Sequence, residues 1–455
     1  MYNYLKYYIM EKKTIKDIIA EFEKMEEIIL PARELTQEET LLYYFMKNDR
    51  TVSVTQEISL AEPIDFQTMQ HALTLTFKRF PYFKVKVQFI KDRPYFVHND
   101  NPLILHNKFE GKTTMLQKDN NGFLFRFEVD GNKLYMYNLH MLTDGRGKLP
   151  LVQTLLTFYY GLLGVDNTSA LDSRYLSIPE DMNLEWENPF DHLSKEVPNI
   201  EFYYNERPCY RFPYEVDSKK RTFVYCIEVP VEDMMGYCKK VGGTPNTVVA
   251  SAVAAAIQFC NPEVAKANAD IKIGVIVDTK PAIGTPMSSI NAFSMATLSF
   301  SKERKNLSGE QLHHKLKEEL RKQANPEVMD VYGKTLEFTG GLLQTMPTIA
   351  ARKMLAEFSI NTSFRQAVTA AISDAGQSKL GDISSNVKSV LAVVESSIFD
   401  LLVEVNCLDD VFCISMAQSF DSVKYMYALK GYLAERGIRY YDLSTRIIPQ
   451  LPFEI

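Results

Sequence analysis

His140 and Asp144 stand four positions apart in the stretch GNKLYMYNLHMLTDGRGKLPLVQTLL, residues 131–156, and Gly145 and Gly147 follow at once. Imidazole is the side chain whose ordinary pKa lies closest to neutrality, and a carboxylate nearby can orient it. The pair therefore suits proton abstraction, with His140 as candidate general base. A histidine on an apolar strand also matches a hydrogen-bonded core histidine, so the surrounding elements have to decide. The alternation from Leu134 to Leu139 predicts a strand that ends at His140. The glycines break the pattern, and apolar spacing resumes as a predicted helix from about Leu149.

Other chemistries lack their residues. No GxSxG elbow, phosphate-binding GxxxxGK[ST] loop or GxGxxG fingerprint occurs, which counts against hydrolase, NTPase and dinucleotide enzymes. His71, His98, His106, His192, His313 and His314 sit in no comparable setting and read as surface or structural residues. His313 and His314 are adjacent on a charged segment without further ligands, so no metal site is expected. Six scattered cysteines without CxxC spacing read as reduced thiols of a cytoplasmic protein.

At 455 residues the chain exceeds one ordinary core, and two domains are expected. Hydrophobic residues make up 46% and charged residues 24%, a globular composition. A net charge of −6 argues against nucleic acid as the main partner, although local basic patches can still receive a phosphorylated cofactor. The N-terminal 30 residues are interrupted by lysines and acids, so no signal-peptide core forms. The longest nearly apolar run, 248–260, falls short of the roughly 18–20 residues of a transmembrane helix, and no such segment is expected.

The predicted organisation has four parts. Residues 1–30 form a helical extension with Ile15, Ile18, Ile19, Phe22 and Met25 at helical spacing, and 31–175 form a first subdomain. The polar, proline-rich stretch 176–220 reads as a crossover, and 221–455 form a second subdomain. Within the first, Thr36 and Glu39 mark a capping box, VSVTQEISL alternates as a strand, and Asp130-Gly131-Asn132 turns a hairpin. Within the second, TPNTVVASAVAAAIQFC is a buried helix, IKIGVIVDTKP a buried strand, and 301–325 and 327–359 are helical. Strand–helix alternation in both halves gives an α/β or α+β class with mixed sheets.

The run His140-Met-Leu-Thr-Asp144-Gly145 at a strand end resembles the HxxxDG motif of the chloramphenicol-acetyltransferase-like superfamily, which includes condensation domains. Further pieces follow in the family's order over nearly the whole chain. SVTQEISLAEPIDFQTMQHALTLTFKRFPYFKVKV resembles its first strand, helix and R-x-P turn, and GGTPNTVVASAVAAAI the start of its second half. VDTKP stands where relatives often have V-D-L-R, and Ser373-Asp-Ala-Gly376 is similar to their S-N-x-G element. Condensation domains often carry two adjacent histidines; Leu139 holds the first position here, which places the resemblance closest to bacterial alcohol acetyltransferases and polyketide-associated acyltransferases.

The resemblance implies two acetyltransferase-like subdomains, each a mixed sheet flanked by helices, set in a V with a tunnel between them. It implies an acyltransferase that moves an acyl group from a coenzyme A or phosphopantetheine thioester to a hydroxyl or amine of a small acceptor. No permanently bound cofactor and no acyl-enzyme are implied, and His140 is the base. Asp144 is implied to hold the loop by pairing with a basic residue, for which Lys280 and Arg146 compete. Gly145 leaves room for the thioester, and Ser373 and Gly376 are implied oxyanion or pantetheine contacts. Two alternatives stay open: a non-catalytic relative that binds pantetheine, lipid or a carrier protein, and a free-standing condensation enzyme served by a carrier protein in trans.

Overall fold

A computed structural model of the chain describes residues 13–47, 51–108, 120–165, 167–168, 173–193, 207–214, 217, 221–395, 398–443 and 445–448. Residues 1–12 of the predicted extension lie outside these, as do 194–206, 215–216 and 218–220 of the predicted crossover. The chain opens with α1 (Ile15–Lys24), capped reciprocally by Thr14 and Asp17, and its face of Ile15, Ile18, Ile19 and Phe22 is buried. Next come β1 (Arg33–Glu34), α2 (Gln37–Phe45), β2 (Ser53–Leu60), α3 (Phe66–Arg79), β3 (Val85–Ile90) and β4 (Arg93–His98). Then follow β5 (Leu105–Asn107), β6 (Phe125–Asp130), β7 (Lys133–Leu139), α4 (Gly145–Leu162) and the single turn α5 (Asn183–Trp186).

The later chain gives β8 (Thr222–Pro230), α6 (Val231–Val241), α7 (Pro245–Cys260), β9 (Ile271–Asp278) and β10 (Phe293–Phe300). Helices α8 (Gly309–Gln323), α9 (Pro326–Thr345) and α10 (Ile349–Ile360) are consecutive. Strands β11 (Ala370–Ser378), β12 (Val387–Val394), β13 (Leu401–Leu408) and β14 (Val411–Gln418) precede α11 (Lys424–Ala434), β15 (Tyr441–Asp442) and β16 (Arg446–Ile448).

Among the described residues these strands make three sheets. One has the order β12-β2-β7-β6-β5, and a small one the order β1-β4-β3. The largest runs β10-β9-β11-β13-β14-β8-β15, with β16 also on β8. The class is mixed α/β: β11 runs parallel to β9 and β13, while β13, β14 and β8 are antiparallel. Two large hydrophobic cores result, one around the first sheet with α1 to α4 and one around the largest sheet with α7 and α11. The late strand β12 belongs to both: it pairs with β2, while Leu391 and Val393 pack on Val224, Cys226, Cys413 and Ala417 of the other sheet.

Two helical expectations need correction, while the strand expected at VSVTQEISL forms as β2 with every residue buried. Its polar residues meet buried partners: Ser53 Oγ donates to Glu395 Oε1 at 2.6 Å, and Arg446 donates to Glu57 Oε1 at 2.6 Å. The helical stretch 327–359 is two helices, because Pro347 holds Met346 extended at ψ 132° and Thr348 caps a new start. The charged helix 301–325 begins at Gly309, where Ser308 and Gln311 form a capping box.

Candidate active site

His140 follows the last residue of β7, and its backbone N–H donates to the Val52 carbonyl at 2.7 Å, extending the β2–β7 ladder by one rung. Two buried strands thus hold the backbone that presents the ring. The side chain is partly exposed on the wall of a cavity of about 540 Å³. Its Nδ1 lies 3.3 Å from Asn291 Nδ2, and its ring centroid 6.1 Å from that of Phe293. Burial pushes the imidazole pKa below its ordinary value, outweighing the upward pull of Asp144. Such a ring is uncharged at neutral pH and able to accept a proton.

Asp144 does not aim at the ring. Its Oδ1 accepts from the Gly147 N–H at 2.7 Å, which makes it the N-cap of α4. Its Oδ2 accepts from Lys280 Nζ at 2.5 Å and from the Ala292 N–H at 3.4 Å. Of the two cations named from sequence, Lys280 is the one in contact; it is 2% exposed. Arg146 reaches outward instead, with Nε 4.0 Å from Asp278 Oδ2. The helix consequently starts at Gly145 rather than near Leu149, because the first-turn amides need no intrahelical acceptor and the Asp144 carboxylate takes one of them. A glycine at 147 is required by contact: a Cβ there would lie 2.4 Å from the Ser289 carbonyl oxygen and 2.5 Å from Thr143 Oγ1. The neighbour beside Gly145 is Ala375 of β11, 3.2 Å from where a Cβ would stand.

Strand β11 brings Ser373, Asp374 and Ala375 to the same cavity. Between Asp374 and Gly376 its register on β13 shifts, and Gly376 adopts φ +91°, a conformation glycine takes without strain. The Asp374 side chain stabilises this bulge by accepting from the Gly376 N–H at 2.9 Å. Ser373 Oγ donates to Glu404 Oε1 at 3.2 Å. Sequence patterning gives no hint of what lies behind it. Glu404 and Lys148 are a buried acid and base; burial raises the Glu404 pKa to about 7 and lowers that of Lys148 to about 8, and each is pulled back by the other. Lys148 Nζ donates to Asn138 Oδ1 at 3.3 Å.

The cavity has two characters. Leu42, Val394, Ile398, Phe399 and Leu402, all members of one hydrophobic core, give it an apolar wall. Elsewhere it is lined by Arg146, Lys317 and Arg321, by Thr244 and Asn246 at the start of α7, and by Asp278 and Asp374. Elements from both sheets meet there, which sequence order alone does not reveal. Glu38 and Asn291, which stand directly behind His140, also escape sequence patterning. Glu38 reads as an ordinary acidic residue of a helix first turn, and Asn291 as part of an unremarkable MSSINAF segment.

No protein-family profile matches the chain, and no curated protein matches its sequence. Solved structures do match. TRI3 trichothecene 15-O-acetyltransferase from Fusarium sporotrichioides superposes with a TM-score of 0.62 at 12% identity, over 89% of this chain and 95% of that one. Polyketide synthase associated protein 5 from Mycobacterium tuberculosis gives 0.56 at 14%, over 90% and 98%. TRI101 from F. graminearum, complexed with coenzyme A and T-2 mycotoxin, gives 0.54 at 12%, over 90% and 100%. Condensation domains of the CDA synthetase and of the polyketide synthase MokA match as well. The chain therefore shares the mixed α/β fold of these acetyltransferases and condensation domains.

Proposed function

We propose that the protein is an acyltransferase that moves an acyl group from a coenzyme A thioester to a hydroxyl or amine of a small acceptor, with His140 as general base. The observation that carries this reading is His140 itself: an imidazole kept uncharged by burial, yet facing a cavity lined by charged side chains of both signs and by apolar ones. A volume of about 540 Å³ lies in the usual range of small-ligand sites. The acceptor loses its proton to His140 as its oxygen or nitrogen attacks the thioester carbonyl; the thiolate then leaves and takes that proton back. General-base action of this kind is worth about 10²- to 10⁴-fold. No acyl-enzyme is needed, because both substrates occupy the cavity together.

Each remaining residue has a task in this scheme. Arg146, Lys317 and Arg321 supply positive charge for the phosphates of the donor. Asp144 and Lys280 fix the loop that carries His140. Gly145 keeps the wall beside β11 free of a side chain. Ser373 donates to the developing oxyanion when Glu404 is neutral and can itself donate to the serine oxygen; Gly376 shapes the bulge that presents it. The apolar wall from Leu42 to Leu402 receives the acyl group. The six cysteines, none in a disulfide, suit a cytoplasmic location.

The fold shared with condensation domains favours one variant, in which the donor pantetheine arrives on a carrier protein in trans. Thiol release measured with a panel of acyl-CoAs, each with mixed alcohols and amines, tests the main reading. Acceptor-dependent release together with a mass-identified ester or amide supports it. Binding of acyl-CoA without release for any pair identifies a non-catalytic relative instead.

A further inference from the structure

Behind His140 a row of polar groups runs into the core. Glu38, in the first turn of α2, is 3% exposed, and its Oε1 lies 3.3 Å from Asn291 Nδ2. Its Oε2 has no hydrogen-bond partner. The same Asn291 nitrogen lies 3.3 Å from His140 Nδ1, and Asn291 Oδ1 is buried without a partner. A carboxyl, an amide and an imidazole from three separate segments are thus lined up, and Nε2 is the ring nitrogen left for the cavity.

We propose that Glu38 and Asn291 are positioning residues that select the tautomer of His140, Glu38 acting through the side-chain amide of Asn291. This rests on the reading of His140 as a base. An amide edge placed between two neighbours must match them both. When Glu38 is ionised, the Asn291 NH₂ gives one hydrogen to the carboxylate and one to Nδ1. The ring proton then sits on Nε2, where it blocks the base. When Glu38 is neutral, the amide turns over. Its oxygen accepts from the Glu38 O–H and from Nδ1–H, and Nε2 faces the cavity with its lone pair.

The groups around Glu38 favour the neutral form. Burial has the largest effect, and Asp144 and Glu39 add negative charge; Lys280 and the Phe293 N–H oppose them. Lys280 is already committed to Asp144, and Glu39 to Arg33. The remaining ionisable neighbour is Tyr332 of α9, whose buried hydroxyl has no hydrogen-bond partner. On the ring's own side, Asp144 and a hydrogen bond from the ring to the His140 backbone carbonyl favour the protonated ring, while Lys148 and Lys280 oppose it.

The test is nitrogen NMR of histidine-labelled full-length protein across pH, with the His140 signals assigned by their loss in His140→Gln. The proposal expects Nδ1–H in the wild type at the pH of maximal rate, giving way to Nε2–H as Glu38 ionises at higher pH. Glu38→Gln is expected to hold Nδ1–H throughout, since its amide can donate as the neutral acid does. Asn291→Leu should lose the fixed tautomer. In parallel, kcat of the wild type should fall at least about tenfold along the same alkaline transition while KM holds, and Glu38→Gln should keep its plateau. The wild-type titration needs no variant, so misfolding of a mutant cannot obscure it. An Nε2–H ring at the pH of maximal rate overturns the proposal, as do identical tautomer titrations in wild type and Glu38→Gln. If no acyl transfer is found but the tautomer switches as described, the positioning stands and the base assignment fails.

Discussion

Asp144 divides its two oxygens between tasks, and substitution can separate them. Asp144→Asn retains an acceptor for the Gly147 N–H, since asparagine caps helices about as well as aspartate. It leaves the Lys280 ammonium buried, with Asp278 3.8 Å away as its nearest remaining carboxylate. Removing one partner of such a pair costs about 3–5 kcal/mol. Asp144→Asn should therefore lower the unfolding free energy measured in denaturant by a few kcal/mol, and a loss under about 1 kcal/mol would contradict the pairing. The imidazole supplies a second prediction. A base whose pKa is lowered stays unprotonated further into acid, so the acid limb of kcat/KM should lie below the ordinary imidazole value of about 6.5. Because Asp144 pulls that value up, Asp144→Asn should move the limb to still lower pH; a shift upward would contradict it.

The residues of the site were unevenly legible in sequence. His140, Asp144 and Gly145 announce themselves by spacing, and the resemblance nominates Lys280. Glu38, Asn291, Lys148 and Glu404 do not, because each matters through burial against a segment far away in the chain. Glu38 and Asn291 are 253 positions apart, and no local period encodes such a meeting.

At the scale of elements, the start of helix α4 is closely packed against the turn that follows His140. Its cap, its third residue and the Ser289 carbonyl are packed so closely that only a glycine fits at 147. Gly147→Ala should cost about 1–3 kcal/mol through overpacking, read as a fall in melting temperature. An unchanged melting temperature would show that the loop yields more easily than its contacts suggest. The start of α4 is misplaced by sequence periodicity because the glycines look like a break, whereas the first turn has no intrahelical acceptors to lose and tolerates them once Asp144 is in place. Strands β10 and β12 receive no assignment from patterning at all. The stretch VKSVLAVV is a short apolar run, and period alone does not separate a buried strand from a buried helix.

At the scale of the molecule, the class was legible, because alternating strands and helices in both halves already require mixed layers. The joining of the halves was not. It depends on β12 pairing with β2 while packing on the other sheet, and on Glu395 receiving the hydroxyls of Thr51 and Ser53 at 2.8 and 2.6 Å. The cavity between these sheets sets the last specificity prediction. Ile398→Trp should fill the space beside its apolar wall and shorten the longest acyl group transferred. At about 0.8 kcal/mol per buried methylene, each carbon lost from the pocket lowers kcat/KM by roughly fourfold. An unchanged chain-length profile would place the acyl group elsewhere.

The reaction itself is tested most directly by comparing wild type with His140→Ala in a thiol-release assay with an acyl-CoA and an accepted alcohol or amine, folding being checked by matching melting curves. Loss of acceptor-dependent release by about 10²-fold or more in the folded variant is the expected result. Equal rates in the two proteins would contradict the assignment of His140 as the base.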